Sequence, residues 1–280
     1  TSKQFDPAFF LQLHCTAKKI IYAASSQDPP FSLDMELKFK TILNSMDATV
    51  SIREEKLRNY VMDLTGTKYP VVLDPTLLAG REIIDKISSR GTSDKSYILL
   101  YQIDSNPTSD ISVKTLERRF GCPVYTMTVP RIGNIHGRCG DVGPERFLGL
   151  LKNAQFLVTN SFHGVALSLL FEKQFFVYEN GGVMSRIDGL LNQVSLLNRK
   201  VRMVDDIDPE NKIEYSVVTS ILEKLRIDSR AFLQDALAGK KKIYSLEEQE
   251  VKKPIPFGER EKKDCCGCSA CIDICPVQAI

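Results

Sequence analysis

The sequence lacks any long apolar run and any excess of one charge. No run approaches the roughly 20 consecutive apolar residues that a helix needs to cross a bilayer. The opening residues TSKQ have no initiating Met and no apolar segment of the kind found in signal peptides. The 37 basic residues nearly balance the 35 acidic ones, giving a net charge of +2. This balance gives no case for binding nucleic acid or a charged membrane surface.

The composition is that of a soluble globular protein. At 280 residues, with 43% hydrophobic and 26% charged residues, the chain can bury a sizeable core in one large or two ordinary domains. Strand-length apolar runs alternate with helical apolar spacing, which predicts an α/β fold with doubly wound parallel sheets. The turn-rich segment RGTSDKS, residues 90–96, separates two such series. We therefore predict Rossmann-like units at residues 1–90 and 91–239.

The chain is organised around residues 156–178, which read FLVTNSFHGVALSLLFEKQFFVY. A strand-length run comes first, a polar elbow follows, and a helix-like apolar run comes next. A helix that starts directly after a parallel strand presents unpaired N–H groups at the carboxyl edge of the sheet. The elbow, with Asn160, Ser161 and His163, therefore predicts an anion-binding site. In the alternative interpretation, Asn160 or Ser161 caps the helix and His163 only fills the turn.

Several segments together resemble the polysaccharide pyruvyl transferase family. VTNSFHG resembles the family signature, and KKIIYAAS, SIREE, VLDPTLL and MSRIDGLL occur in the family's order over roughly residues 5–205. The resemblance implies a GT-B-like pair of Rossmann-like units that face each other across a cleft, with the first unit incomplete here. We therefore expect the sequence to be a slice of a longer polypeptide.

The resemblance also implies the reaction and its residues. Family members transfer a pyruvyl group from phosphoenolpyruvate to sugar hydroxyls, so phosphoenolpyruvate and a saccharide acceptor are the expected partners. His163 matches the family histidine, with an implied role in donor binding or as general acid. Arg53 matches the arginine of the SxRE-type motif, and Arg186 is a weaker phosphate candidate. Ser161 stands where characterised members commonly have an arginine, so this chain departs from the pattern beside the histidine.

Arg53 has an alternative interpretation as half of an ion pair at a helix start. Its candidate partners are Glu54 and Glu55, which follow it directly in the sequence. We expect neither glutamate to face Arg53, because side chains at i,i+1 and i,i+2 diverge on a helix. This expectation favours an Arg53 guanidinium that is free to bind the carboxylate or phosphate of a substrate.

Five of the eight cysteines lie within eleven residues near the end of the chain. Cys265, Cys268, Cys271 and Cys275, followed by a proline, have the C-x2-C-x2-C-x3-C-P spacing of bacterial ferredoxins, which predicts a 4Fe–4S cluster. The alternative is a zinc knuckle, although zinc sites usually pair two separated CxxC halves. Dense metal ligation by thiolates indicates a reducing, cytoplasmic location. Cys266 is an extra cysteine that we do not expect to be a ligand.

A solvated linker, residues 240–263, is predicted to precede a truncated ferredoxin module at 264–280. The sequence ends inside the first half of a two-cluster ferredoxin fold, so we expect this piece to hold only an incomplete cluster. Two alternatives to the transferase stay open. One is an electron-transfer protein with a redox partner, similar to fusions with the beta subunit of deazaflavin-dependent hydrogenases. The other is a glycosyltransferase that uses a nucleotide sugar, because the fold alone would allow it.

Overall fold

The computed structural model describes residues 10–11, 16–26, 32–88, 96–103, 113–127, 142–178 and 184–240. These all belong to the first of two compact units, Thr1–Tyr244. The second unit, Ser245–Ile280, lies outside the described residues, and so do most of the predicted linker and the whole predicted ferredoxin module. The predicted boundary near residue 90 stays a prediction.

Strands and helices alternate along the described chain, as the apolar pattern predicts. The strands are β1 (Ile20–Ala24), β2 (Thr49–Ile52), β3 (Ile98–Tyr101), β4 (Val124–Thr126), β5 (Phe156–Thr159), β6 (Phe175–Tyr178) and β7 (Lys200–Val201). The helices are α1 (Leu33–Ser45), α2 (Glu55–Thr65), α3 (Pro75–Ala79), α4 (Arg81–Ile87), α5 (Val113–Phe120), α6 (Pro144–Asn153), α7 (Phe162–Leu170), α8 (Ser185–Gln193) and α9 (Tyr215–Leu237). In the described part of the chain, no helix has the length and apolar character needed to span a membrane.

The strands form two parallel sheets, which confirms the predicted α/β class. β1 pairs with β2, and the larger sheet has the order β4-β3-β5-β6-β7. Its strand order reverses between β3 and β5, so the loops after these two strands leave in opposite directions and open a crevice at the carboxyl edge. Two parallel sheets are consistent with the predicted GT-B-like arrangement.

Strand β5 lies at the centre of the larger sheet and is buried on both faces. Its successive side chains point to opposite sides. Leu157 packs in one apolar cluster with α7, whereas Phe156 and Val158 pack in another cluster with α5. This double burial explains why β5 reads as a continuous apolar run, and it fixes the position of the elbow that follows.

The sequence predicts that Ser32 caps one helix and that Gly66 ends another, and both predictions are confirmed. Ser32 precedes α1, and its hydroxyl accepts a hydrogen bond from the Met35 N–H at 3.4 Å. Gly66 ends α2 in the left-handed conformation, with φ of 74°. Such a backbone conformation favours glycine because other residues carry a Cβ that clashes there.

Two predicted elements are wrong. The apolar run Val71–Leu73 predicts a short strand, but the structure has only an isolated bridge there, in which Val71 pairs with Ile52. The next N–H but one, that of Leu73, donates to the Ser229 hydroxyl of α9 at 2.9 Å instead of to a strand. The pair Asp208-Pro209 predicts the start of a helix to about Arg226, with a further helix ending at Gly239, but the structure has the single helix α9, capped by Glu214. In the non-helical stretch before α9, the Asn211 carbonyl accepts from the Arg199 guanidinium.

Candidate active site

A series of three hydrogen bonds stabilises the elbow between β5 and α7. The Ser161 hydroxyl caps α7 by accepting from the Gly164 N–H at 3.3 Å. The Ser161 N–H donates to the Thr159 hydroxyl oxygen at 3.0 Å, and that hydroxyl donates to the Tyr101 carbonyl at 2.7 Å. Ser161 is fully buried, so its side chain has the capping role of the alternative interpretation.

The start of α7 lies unusually close to the end of β5. A Cβ atom on Gly164 would lie 2.5 Å from the Thr159 hydroxyl oxygen, a distance that no real side chain tolerates. Asn160 adds a hydrogen bond to the elbow, since its Oδ1 accepts from the Ile103 N–H at 2.9 Å. The elbow is thereby joined to the segment after β3, at the point where the strand order reverses. Asn160 therefore holds together the two segments that border the crevice.

His163 is exposed and reaches toward a carboxylate from another part of the chain. Its side chain is 53% accessible, and its Nε2 lies 3.9 Å from Asp74 Oδ2. A shift of about 1 Å would bring these two atoms to hydrogen-bond distance. The contact becomes an ion pair only when the imidazole is protonated. His163 is thus the elbow side chain that is available to a ligand.

Arg53, which follows β2, directs each of its guanidinium nitrogens to a protein oxygen. Nε donates to Glu54 Oε1 at 2.8 Å, Nη1 to Asp74 Oδ2 at 2.6 Å, and Nη2 to the Ser25 hydroxyl at 2.6 Å. The guanidinium carbon lies 4.4 Å from the centre of the Phe162 ring, next to His163 in sequence. Arg53 and His163 therefore converge on the same carboxylate.

The expectation that Glu54 does not face Arg53 is wrong. The divergence of neighbouring side chains is a property of helices, whereas Glu54 precedes α2 and has an extended backbone, with φ of −113° and ψ of 134°. Glu55, the first residue of α2, lies instead 3.6 Å from Arg58. Glu54 also accepts a hydrogen bond from the Ser25 hydroxyl at 2.6 Å.

Asp74, whose position before a proline predicts only the end of a short strand, is the shared partner of Arg53 and His163. It is 4% exposed, and it caps α3 because its Oδ1 accepts from the Thr76 N–H at 2.9 Å. Burial alone would raise the pKa of Asp74, but the Thr76 N–H and the Arg53 guanidinium outweigh burial and hold that pKa below its usual range. The Asp-Pro pair at a helix start is the sequence signal that could have identified this capping carboxylate.

Side chains of helix α9 and strand β1 form hydrogen bonds with the backbone on both sides of Asp74. The Leu73 N–H donates to Ser229, and the Leu73 carbonyl accepts from the Tyr22 hydroxyl at 2.7 Å. Burial raises the pKa of Tyr22 to about 12, so this hydroxyl stays a neutral donor. The buried Arg226 guanidinium donates to the Leu77 carbonyl at 2.7 Å. These contacts come from distant segments and fix both ends of the short helix α3.

A narrow cleft of about 20 Å³, the space of roughly one water molecule, opens beside this network. Its charged lining contains Arg53, Glu54, Asp74 and the exposed Arg186 of α8, and its apolar floor includes Phe162 and Leu77. His163 does not line the cleft but contacts Asp74, which does. The structure therefore brings Arg53, Arg186 and His163 to one place, whereas Asn160 and Ser161 support the elbow from within.

Metal ligation is not assigned within the described part of the chain. There, no three His, Cys, Asp or Glu side chains gather as a metal ion would require. The predicted ligands Cys265, Cys268, Cys271 and Cys275 lie outside the described residues.

Replacing Asp74 with asparagine should lower the free energy of unfolding by about 1–3 kcal/mol near neutral pH, because the Arg53 charge loses its anionic partner. The pKa of the carboxyl is lower in the folded protein than in the unfolded chain. Its stabilisation is therefore complete above the unfolded pKa and disappears as the pH falls through the folded pKa. Urea unfolding from about pH 6 down to about pH 3 should show the difference between wild type and Asp74→Asn shrinking.

Asp34→Asn is the matched control, because Asp34 pairs with Lys38 on the surface and exposed ion pairs contribute little. It should differ little from wild type across the same range. A difference between wild type and Asp74→Asn that stays constant with pH would show that the Asp74 charge does not stabilise the fold.

Comparison with known families gives a match over most of the first unit. The model of the family described as polysaccharide pyruvyl transferase matches residues 2–182, more than half of the chain. The match includes Arg53, Asp74 and His163 and ends before α8, α9 and the cysteine run. A search of curated proteins finds no match. The chain belongs to the polysaccharide pyruvyl transferase family.

Proposed function

We propose that this member of the polysaccharide pyruvyl transferase family transfers the pyruvyl group of phosphoenolpyruvate to two hydroxyls of a sugar, forming a cyclic ketal. The observation that carries the proposal is the convergence of Arg53 and His163 on Asp74 beside a cleft. Family membership supports the same class of donor and acceptor. The acceptor is accordingly a saccharide that presents two hydroxyls to this cleft.

The donor carries a carboxylate and a phosphate, so it requires cations. Arg186 lines the cleft and is exposed, and the accessible His163 imidazole lies next to Asp74 of the same cleft. We assign donor binding to these two side chains. Ser161 cannot replace the arginine that family members commonly have there, since its buried hydroxyl caps α7. Arg53 contributes by holding Asp74 and Glu54 in place.

The chemistry begins with a proton transfer to the methylene carbon of phosphoenolpyruvate. His163 donates this proton, which leaves an oxocarbenium-like centre at the carbon that bears the phosphate. One sugar hydroxyl attacks this carbon and loses its proton, and a second hydroxyl then displaces inorganic phosphate. Asp74 lies on the side of the imidazole away from bulk solvent, and its negative charge is attracted to the protonated ring.

The cysteine run supports a second proposal, in which Cys265, Cys268 and Cys271 are ligands of one 4Fe–4S cluster and Cys275 is a ligand of the second cluster of a two-cluster ferredoxin, so that the 280-residue piece holds its cluster incompletely. Four thiolates at ferredoxin spacing are a suitable donor set for iron. When bound, such a cluster supplies one-electron chemistry. This proposal rests on spacing alone and favours the electron-transfer alternative as an additional role of the chain. The glycosyltransferase alternative has no comparable observation in its favour.

Calorimetry should show that the protein binds phosphoenolpyruvate and that His163→Ala and Arg186→Gln each weaken binding about ten- to a hundredfold. This range corresponds to the loss of about 1.5–3 kcal/mol for one charge-assisted contact. Arg230→Gln is the control, because Arg230 is an exposed arginine of α9 that lies in a different groove. Its affinity for the donor should equal that of wild type.

Unchanged affinity in His163→Ala and Arg186→Gln would remove both residues from the donor site. Tight binding of a nucleotide sugar, with no binding of phosphoenolpyruvate, would contradict pyruvyl transfer and favour a glycosyltransferase.

Iron and sulfide analysis after anaerobic reconstitution tests the cluster. Cys268→Ser should lose bound iron because one thiolate ligand is removed, and Cys266→Ser should retain the wild-type content because Cys266 is outside the ligand spacing. Equal iron content in the two variants, or zinc bound in place of iron, would contradict the cluster.

A further inference from the structure

Glu54 uses only one of its two carboxylate oxygens. Oε1 accepts from the Ser25 hydroxyl and from Arg53 Nε. Oε2 is buried and accepts no hydrogen bond from the described residues. The side chain is 6% exposed and belongs to the lining of the cleft. A buried acceptor without a hydrogen-bond partner costs about 1–3 kcal/mol of stability. An unpaired oxygen in the lining of a cleft therefore indicates an acceptor for a ligand.

The charge of the surrounding wall decides which ligand can approach. The acidic wall is defined here as Arg53, Glu54 and Asp74, which carry one positive and two negative charges and therefore a net charge of −1. Away from Arg186 and a protonated His163, such a wall repels the carboxylate and phosphate of the donor. A neutral hydroxyl is favoured instead, because it can donate a hydrogen bond to Oε2.

We propose that Glu54 is the general base for the acceptor, and that the acceptor sugar binds against the acidic wall while the donor binds on the side of Arg186 and His163. This inference rests on the proposed function and adds the location of its second substrate. Oε2 is buried within the lining of this narrow cleft, so a hydroxyl reaches it when side chains of the lining move aside.

The proton and electron balance of the step is simple. Glu54 Oε2 takes the proton of the sugar hydroxyl as that oxygen forms a bond to the oxocarbenium carbon. The glutamic acid then returns its proton to the phosphate that departs when the second hydroxyl attacks, and the proton of that second hydroxyl restores the protonated His163. No oxidant or reductant is required. Arg53 and Ser25 act as positioning residues, because their hydrogen bonds to Oε1 direct the other oxygen to the cleft.

The variant Glu54→Gln isolates this role from a structural one. A glutamine oxygen can accept from both Ser25 and Arg53, as Oε1 does, while the amide nitrogen replaces Oε2 and cannot act as a base. The experiment uses the full chain, phosphoenolpyruvate, and a panel of methyl glycosides with gluco, galacto, manno and N-acetyl forms. Phosphate release is measured as a function of pH, and donor affinity is measured by calorimetry.

With every glycoside that wild type uses, we expect Glu54→Gln to lose about 10²–10⁴-fold in turnover. The fall in wild-type rate on the acid side of the pH profile should be absent from the residual activity of the variant. Donor affinity should be unchanged or tighter, because a negative charge has been removed. Glu82→Gln, an exposed helix position, should match wild type in every measurement.

Two results would overturn the inference while leaving the proposed function intact. One is a Glu54→Gln variant with wild-type turnover, which would make Glu54 structural. The other is tenfold weaker donor binding in that variant, which would place Glu54 with the donor. Absence of phosphate release from wild type with all glycosides, or absence of donor binding, would instead contradict the proposed function and this inference with it.

Discussion

The arrangement of the site depends on one buried carboxylate, that of Asp74. A buried charge costs several kcal/mol unless it is paired and hydrogen-bonded. Here the Thr76 N–H and the Arg53 guanidinium satisfy it. Because Arg53 follows β2 of the small sheet, and His163 follows β5 of the large one, the requirement to pair Asp74 brings the ends of two parallel sheets to the same cleft.

The charges of this network divide the cleft into two parts. The guanidinium of Arg53 is matched by two carboxylates, so it organises the acidic wall rather than adding a free positive charge. Exposed Arg186 lies elsewhere in the lining, and accessible His163 lies outside the lining, next to Asp74. The proposed donor has two anionic groups and requires cationic side chains, whereas a neutral sugar can bind against the acidic wall. The separation of charges provides both environments. Ser161 brings no charge to the elbow, so the proposed donor site relies on Arg186 and His163.

Local features of this site could be predicted from sequence, and long-range ones could not. The elbow after β5 follows from an apolar strand, a capping serine and a glycine, which are all short-range signals. The pairing of Arg53 with Glu54 was not predictable from helix geometry, because Glu54 lies before the helix begins. Ser229 and Arg226 support the Asp74 segment from more than 140 residues away in sequence. No periodicity could indicate that α9 packs there.

The most direct test of the role of Asp74 is a double-mutant cycle on the free energy of unfolding, with Arg53→Gln, Asp74→Asn and the double variant. If the two side chains form the buried pair that holds the site together, the double variant should be less destabilised than the sum of the single variants. The coupling should be about 0.5–3 kcal/mol. Strict additivity would contradict the account, because it would show that Arg53 and Asp74 contribute to stability independently.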